Sequence, residues 1–167
     1  SCKQLSRNVH RITFDFRRRS DEAFILLRSD AHHDSVHANH ALEIAHCKAA
    51  IARNAPIISN GDDMDLMQGR DDRRSSKSEI RPCDLGGNYF DKVIADYAEF
   101  LKPYAHQFAL FGTGNHESAV LRKLEFSPTT RLVERLRTLT GATIYEAGYT
   151  SWIIVQVRRL AEGSAKK

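Results

Sequence analysis

The chain has 167 residues, of which 41% are hydrophobic and 28% are charged. These proportions predict one globular domain over residues 1–167 with a packed core, and they exclude an intrinsically disordered chain. The formal net charge of +4 permits contact with phosphates or nucleic acid without requiring it.

The spacing of apolar residues predicts strands that alternate with helices. A half-exposed strand is expected at 12–16 and a continuous apolar strand, in the centre of a sheet, at 23–27. An amphipathic helix over 35–53 and a short buried strand at 57–59 follow. Residues 68–87 show no periodicity and many charges, which predicts a solvated basic loop inserted after that strand.

The second half of the chain continues this pattern. Residues 90–101 form the next predicted helix, and 108–111 form another buried strand. A further helix begins at Ser127 and Pro128, and the last strand covers 152–157. The polar segment 160–167 is predicted to be a disordered tail. Strands that alternate with helices predict an α/β fold in which neighbouring strands are often parallel.

Cysteine use and the apolar runs indicate the compartment. The three cysteines lie far apart without a CxxC pair, which excludes a disulfide framework and indicates a reducing environment. No apolar run approaches the length of a membrane span, and residues 1–16 lack the apolar core of a secretory signal. We therefore expect a cytoplasmic protein without a membrane partner.

Three of the predicted strands are followed by polar motifs. They read Ser-Asp-Ala-His at 29–32, Asn-Gly-Asp-Asp-Met-Asp at 60–65 and Gly-Asn-His-Glu at 114–117. Ligands of α/β folds bind beyond the carboxyl ends of strands. One shared cleft would bring together the side chains of Asp30, His32, Asp62, Asn115 and His116. The alternative, three unrelated turns, does not explain why every motif follows an apolar strand.

These motifs, in this order, resemble those of the calcineurin-like metallophosphoesterases, and most closely those of phages and bacteria. Asp30-Ala31-His32 resembles the family's D-x-H motif. Residues 61–65 resemble its G-D-x-x-D motif, and 114–117 resemble its G-N-H-[DE] motif. The similarity covers roughly residues 23 to 120. It implies a β-sandwich flanked by helices and a hydrolase that acts on a phosphomonoester, a phosphodiester or nucleic acid.

The resemblance also implies a site with two divalent cations, with Mn, Fe, Zn, Ni and Mg all open as the metal. Asp30 and His32 would hold the first cation, Asp62 would bridge both, and Asn115 would bind the second. A water activated between the cations would attack phosphorus. His116 would then protonate the leaving group, and Asp65 would orient His116.

Other polar residues have two interpretations each. Arg70, Arg73 and Arg74 of the basic loop are candidates for binding substrate phosphates, or they belong to a flexible solvated segment. The spacing of His33, His37 and His40 suits a small separate zinc site or a polar helix start beside the cleft.

The chain also departs from the family. No histidine follows His116, so the family's later lone histidine and its G-H-x-H motif are absent. We expect the N-terminal part of a longer domain, incomplete at its C-terminus, with a reduced relative as the alternative. The alternative function is a non-catalytic or half-site domain that keeps the fold and binds phosphate or nucleic acid.

Overall fold

A computed structural model describes residues 1–68, 73 and 75–161 of the chain. In this part the fold is mixed α/β, with two β-sheets and four α-helices, so the α/β prediction is confirmed. None of the described helices combines the length and the apolar character needed to cross a membrane. Of the predicted tail, residues 160 and 161 are described and 162–167 lie outside the described part.

The first sheet contains four parallel strands in sequence order. The strands are β3 (Leu26–Arg28), β4 (Ile57–Ser59), β5 (Phe108–Gly112) and β6 (Tyr145–Gly148). The helices that connect them are α1 (His40–Ala52), α2 (Tyr89–Leu101), α3 (Asn115–Leu124) and α4 (Pro128–Thr140). Because parallel strands need crossover connections, each pair of neighbouring strands is separated by at least one helix.

The second sheet lies against the face of the first sheet that the helices leave uncovered. Its strands are β1 (Cys2–Ser6), β2 (Val9–Phe16) and β7 (Trp152–Arg159), with β2 in the middle. One apolar core fills the space between the first sheet and its helices, and includes Tyr97, Phe111 and Leu136. A smaller core between the two sheets includes Ile12 of β2 and Leu110 of β5. The layers are therefore helices, parallel sheet and second sheet.

The helix predicted to begin at Ser127 and Pro128 is confirmed. The Ser127 hydroxyl accepts a hydrogen bond from the Thr130 backbone N–H at 3.3 Å, and Pro128 occupies the first helical position. At the other end Gly141 adopts a left-handed φ of 69°, which glycine does without steric cost. Both ends of α4 follow from local sequence.

Two predicted elements of the N-terminal half are wrong. The strand expected in the centre of a sheet is β3, which lies at the edge, and Leu27 has 63% of its surface exposed. A run of apolar residues does not reveal whether a strand has one neighbour or two. The helix expected over 35–53 begins only at His40, because the Asn39 side chain caps it by accepting from the Leu42 N–H at 3.0 Å.

The second part of the predicted loop at 68–87 is mostly exposed but is attached to the fold. Residues 75–87 contain two short 3₁₀ turns, and Ile80 forms a β-bridge with Ser35. The guanidinium of Arg81 contacts Asp84 at 2.7 Å and Asp96 of α2 at 2.8 Å. These ion pairs attach a charged segment to the fold, which periodicity alone does not predict.

Candidate metal centre

The three polar motifs lie at one edge of the first sheet. Strands β3, β4 and β5 are parallel neighbours, so their carboxyl ends meet at the same edge. Backbone hydrogen bonds join the first two loops: the Asp30 N–H donates to the Gly61 carbonyl at 3.2 Å, and the His32 N–H donates to the Asp62 carbonyl at 3.1 Å. The loops after β3 and β4 therefore run side by side.

Three of the predicted ligands have an unusual backbone conformation. Asp30, His32 and Asp62 have φ values of 55°, 43° and 52°, in the left-handed region. A non-glycine residue there costs on the order of 1–3 kcal/mol and is often found at binding sites. The rest of the fold holds this backbone in place.

The Asp65 carboxylate lies between two imidazoles. Its Oδ1 is 3.5 Å from Nδ1 of His32 and 3.5 Å from Nδ1 of His116. The two rings face each other edge to face, with centroids 4.6 Å apart. One potential ligand atom from each of the three side chains lies within 4.8 Å of the others, which is close enough for all three to contact one ion.

The remaining predicted ligands surround this group. Asp30 Oδ1 is 3.8 Å from His32 Nε2, and the Asp30 side chain is exposed. Asp62 Oδ1 accepts the His116 backbone N–H at 2.9 Å, so its carboxylate caps the start of α3. Asn115 is the first residue of α3 and is exposed. Contacts thus link Asp30, His32, Asp62, Asp65 and His116 in one cluster, and Asn115 lies beside His116 in the chain.

The charges in this cluster alter its titration. The contact between Asp65 and His32 raises the pKa of His32 above its ordinary value, although burial of the ring acts in the opposite direction. Burial opposes ionisation of Asp65, but His32 and His116 outweigh it and lower the pKa of that carboxyl. In the metal-free protein, Asp65 is therefore an anion that lies 3.5 Å from a ring nitrogen of each histidine.

The separate zinc site considered for His33, His37 and His40 is not formed. His33 is buried, and its ring stacks on Tyr97 with centroids 4.3 Å apart. Nε2 of His40 is hydrogen-bonded to the His33 carbonyl at 2.8 Å, and His37 is exposed. Within residues 1–68, 73 and 75–161, the three histidines do not form a metal-sized group.

The predicted phosphate-binding arginines are only partly described. Arg73 is exposed. Arg70 and Arg74 lie outside the described residues, so their role remains a prediction.

Two glycines let the loops approach each other. A Cβ atom on Gly61, which has a φ of +106°, would lie 2.2 Å from the Gly114 nitrogen. A Cβ atom on Gly114 would lie 2.2 Å from Oδ1 of Asp62. Both distances are far below a van der Waals contact, so the loops after β4 and β5 meet only because these residues are glycines.

Sequence reasoning missed the buried charges beneath the site. Arg28 of β3 pairs with Glu43 at 2.7 Å and with Asp63 at 2.5 Å, and the Tyr97 hydroxyl also bonds to Asp63 at 3.0 Å. Asp34 and Glu117 are buried as well. Burial and the neighbouring Asp63 carboxylate raise the pKa of Glu117 to about 7, against the lowering effect of its backbone donors. The signal that could have found them was their position inside or beside the polar motifs.

Comparisons with protein-family models, curated proteins and solved structures found no match to this chain.

Proposed function

We propose that this chain carries the metal site of a phosphoesterase that hydrolyses a phosphomonoester or a phosphodiester. The observation that carries the proposal is the cluster around Asp65, whose carboxylate contacts both His32 and His116 at 3.5 Å. These residues come from three separate motifs that resemble one family in type and order. Their proximity in space is what a shared site requires and what three unrelated turns would not produce.

The residues of the cluster suit a divalent cation. Carboxylate and imidazole groups are ligands of Mn, Fe, Ni and Zn, and carboxylates also bind Mg. Nδ1 of His32 is buried without a hydrogen-bond partner, which is costly for a polar atom unless something binds it. In this proposal Asp30, His32, Asp62 and Asn115 would hold the divalent cations through carboxylate, imidazole and amide groups. The cations would activate water and polarise the phosphoryl group.

The geometry of His116 suits proton transfer to a leaving group. Its Nδ1 is 2.6 Å from the Asp65 backbone carbonyl, which only accepts, so Nδ1 carries the hydrogen. Nε2 is then the nitrogen that remains for substrate. The Asp65 carboxylate also lies 3.5 Å from Nδ1, and as an imidazolium the ring would donate its Nε2 proton to the departing oxygen.

Metal-dependent turnover tests the proposal. Chelator-treated protein is supplied with Mn, Fe, Zn, Ni or Mg in turn and assayed with an aryl phosphate and a bis-aryl phosphodiester. We expect turnover with at least one cation, and loss of metal binding and turnover in Asp62→Asn. The matched control is Asp91→Asn, at an exposed position on α2. Metal binding without turnover on either ester would favour the non-catalytic phosphate-binding alternative, and no metal binding at all would contradict the proposed function.

The role of His116 has its own test. His116→Ala is expected to keep metal affinity nearly intact and to slow turnover on the order of 10²–10⁴-fold for poor leaving groups, which need a proton. Good leaving groups should lose much less. His46→Ala, on the exposed side of α1, serves as the control. Equal losses for good and poor leaving groups would argue against proton donation by His116.

A further inference from the structure

The loop at 61–66, which carries Asp62 and Asp65, has no regular secondary structure to support it. Both Asp62 and Leu66 have left-handed φ values, 52° and 55°. Met64 and Leu66 are almost fully buried, so the backbone N–H groups here need partners within the protein. Those partners are two buried carboxylates from outside the loop.

Glu117 supports the first half of this loop. One of its oxygens accepts the Asp62 N–H at 3.1 Å and the Gly114 N–H at 2.9 Å. The other oxygen accepts the Met64 N–H at 3.1 Å. Glu117 is fully buried and lies in the first turn of α3, where a negative charge is favourable. It therefore ties the loop after β4 to the loop after β5.

Asp34 supports the second half in the same way. Its Oδ1 accepts the Asp65 N–H at 2.6 Å, and its Oδ2 accepts the Leu66 N–H at 3.0 Å. The hydroxyl of Tyr89, on α2, donates to the same Oδ2 at 2.5 Å. Asp34 is 2% exposed and belongs to the segment after β3. It therefore ties that segment to the loop after β4.

We infer that Glu117 and Asp34 are positioning residues of the proposed metal centre, each of which sets the backbone of one half of the 61–66 loop. This inference rests on the proposed function. Glu117 accepts a hydrogen bond from the backbone N–H of Asp62, and Asp34 accepts one from the backbone N–H of Asp65. Through those groups they determine where the side chains of Asp62 and Asp65 point.

The substitution Glu117→Gln tests this with almost no change in volume. A carboxylate accepts at both oxygens, whereas a glutamine amide has one oxygen and one NH₂ group. In either orientation the NH₂ group must face a backbone N–H, so at least one of the three hydrogen bonds is lost. Asp34→Asn creates the same conflict between the N–H groups of Asp65 and Leu66.

The readouts are metal affinity and amide hydrogen exchange, measured at mildly alkaline pH. We expect Glu117→Gln to weaken the tightest metal site about 10- to 100-fold, as changes to residues that orient ligands do. In the metal-free protein, the amides of Asp62 and Met64 should exchange faster in Glu117→Gln, and the amides of Asp65 and Leu66 should exchange faster in Asp34→Asn. Glu117→Asp keeps both acceptor oxygens on a shorter side chain and should restore part of the affinity. Glu134→Gln, on the exposed side of α4, should leave both readouts unchanged.

A core variant separates positioning from general stability. Leu136→Ala removes a fully buried side chain of α4 far along the chain from the loop and should destabilise the fold by leaving a cavity. We expect the folded form of this variant to bind metal as the parent does. If Glu117→Gln and Asp34→Asn bind metal like the parent, or if Leu136→Ala weakens binding equally, the inference is overturned. If the parent itself binds no metal, the proposed function has failed, and the exchange data still report on the two carboxylates.

Discussion

Asp65 has two imidazole neighbours, and this geometry is compatible with two roles. As a metal ligand it would share an ion with His32 and His116, because potential ligand atoms of the three lie within 4.8 Å of one another. As an orienting residue it would hold the His116 ring in place, which its 3.5 Å contact allows. The backbone carbonyl of Asp65 already fixes one nitrogen of His116 at 2.6 Å. We favour the orienting role because the carboxylate and the backbone carbonyl of Asp65 both contact the His116 ring.

The substitution Asp65→Asn distinguishes these roles. An orienting Asp65 predicts metal affinity within about threefold of the parent and turnover of poor leaving groups reduced at least about 100-fold, because the amide no longer places a negative charge beside the ring. Isothermal titration with the activating cation and turnover with paired leaving groups measure the two effects. A large loss of metal affinity would instead identify Asp65 as a ligand.

Gly114 lies so close to Asp62 that a side chain at this position should disturb the site. In Gly114→Ala the new Cβ would lie 2.2 Å from Asp62 Oδ1, so the Asp62 carboxylate or the loop must move. We expect a destabilisation of about 1–3 kcal/mol, as for other overpacked sites, together with weaker metal binding. Gly87→Ala is the control, because a Cβ atom there meets no atom within 4 Å. Normal metal affinity in Gly114→Ala would show that the Asp62 carboxylate does not bind the metal in its observed position.

Some elements of the fold depend on residues nearby in the sequence, and others depend on partners from other elements. Helix α4 has a serine cap, a proline at its first position and a glycine after its end, and the structure has all three in those roles. Helix α1 shows the opposite case. Its side toward the core presents Cys47, Ala50 and the buried charge of Glu43, whereas Ile51 is 47% exposed. Its packing depends on Arg28, a partner from another element.

The cap of α4 gives a prediction at the scale of the element. Ser127→Ala removes the acceptor of the Thr130 N–H and should lower the free energy of unfolding by about 1 kcal/mol. Thr138→Ala, at an exposed position within the same helix, should be neutral or slightly stabilising because alanine has the higher helix propensity. Urea unfolding of both variants measures the difference. A Ser127→Ala variant as stable as Thr138→Ala would contradict the capping role.

At the scale of the whole molecule, the candidate site lies at one edge of the parallel sheet, and each of its loops belongs to a different strand. The segments that carry it are connected by backbone bonds, by glycines in close approach and by the carboxylates of Asp34 and Glu117. The family that the motifs resemble uses further imidazoles, and no histidine follows His116 in this sequence. A second cation would therefore have Asp62 and Asn115 as its predicted protein ligands.

We accordingly predict that the 167-residue chain binds at most one divalent cation tightly and is a poor phosphoesterase, whose turnover is slow although still orders of magnitude above the uncatalysed rate. Catalysis by a metal pair depends on a fixed separation of roughly 3.5–4 Å, which one carboxylate and one neutral amide hold poorly. Metal content after gel filtration, together with turnover, tests this. Two tightly bound cations with high activity would show that another residue, such as the exposed His37, takes over the absent ligands.

The sequence by itself determined the order of most elements and the identity of the site candidates. The cap of α4, the buried strands β4 and β5 and the polar motifs after them depend on neighbouring residues, so local patterns suffice to find them. The expectation that these motifs share one edge also holds, since it follows from parallel neighbours in an α/β sheet.

Only the tertiary structure decided what lies around and beneath that edge. The edge position of β3 and the attachment of residues 75–87 depend on partners distant in sequence. The same holds for the hydrogen-bond partners of Asp34 and Glu117, although Glu117 belongs to the Gly-Asn-His-Glu motif. Their importance comes from burial, where a carboxylate must find donors and a backbone N–H must find an acceptor. These hydrogen bonds form when separate segments of the chain pack together, so the local periodicity of the sequence does not predict them.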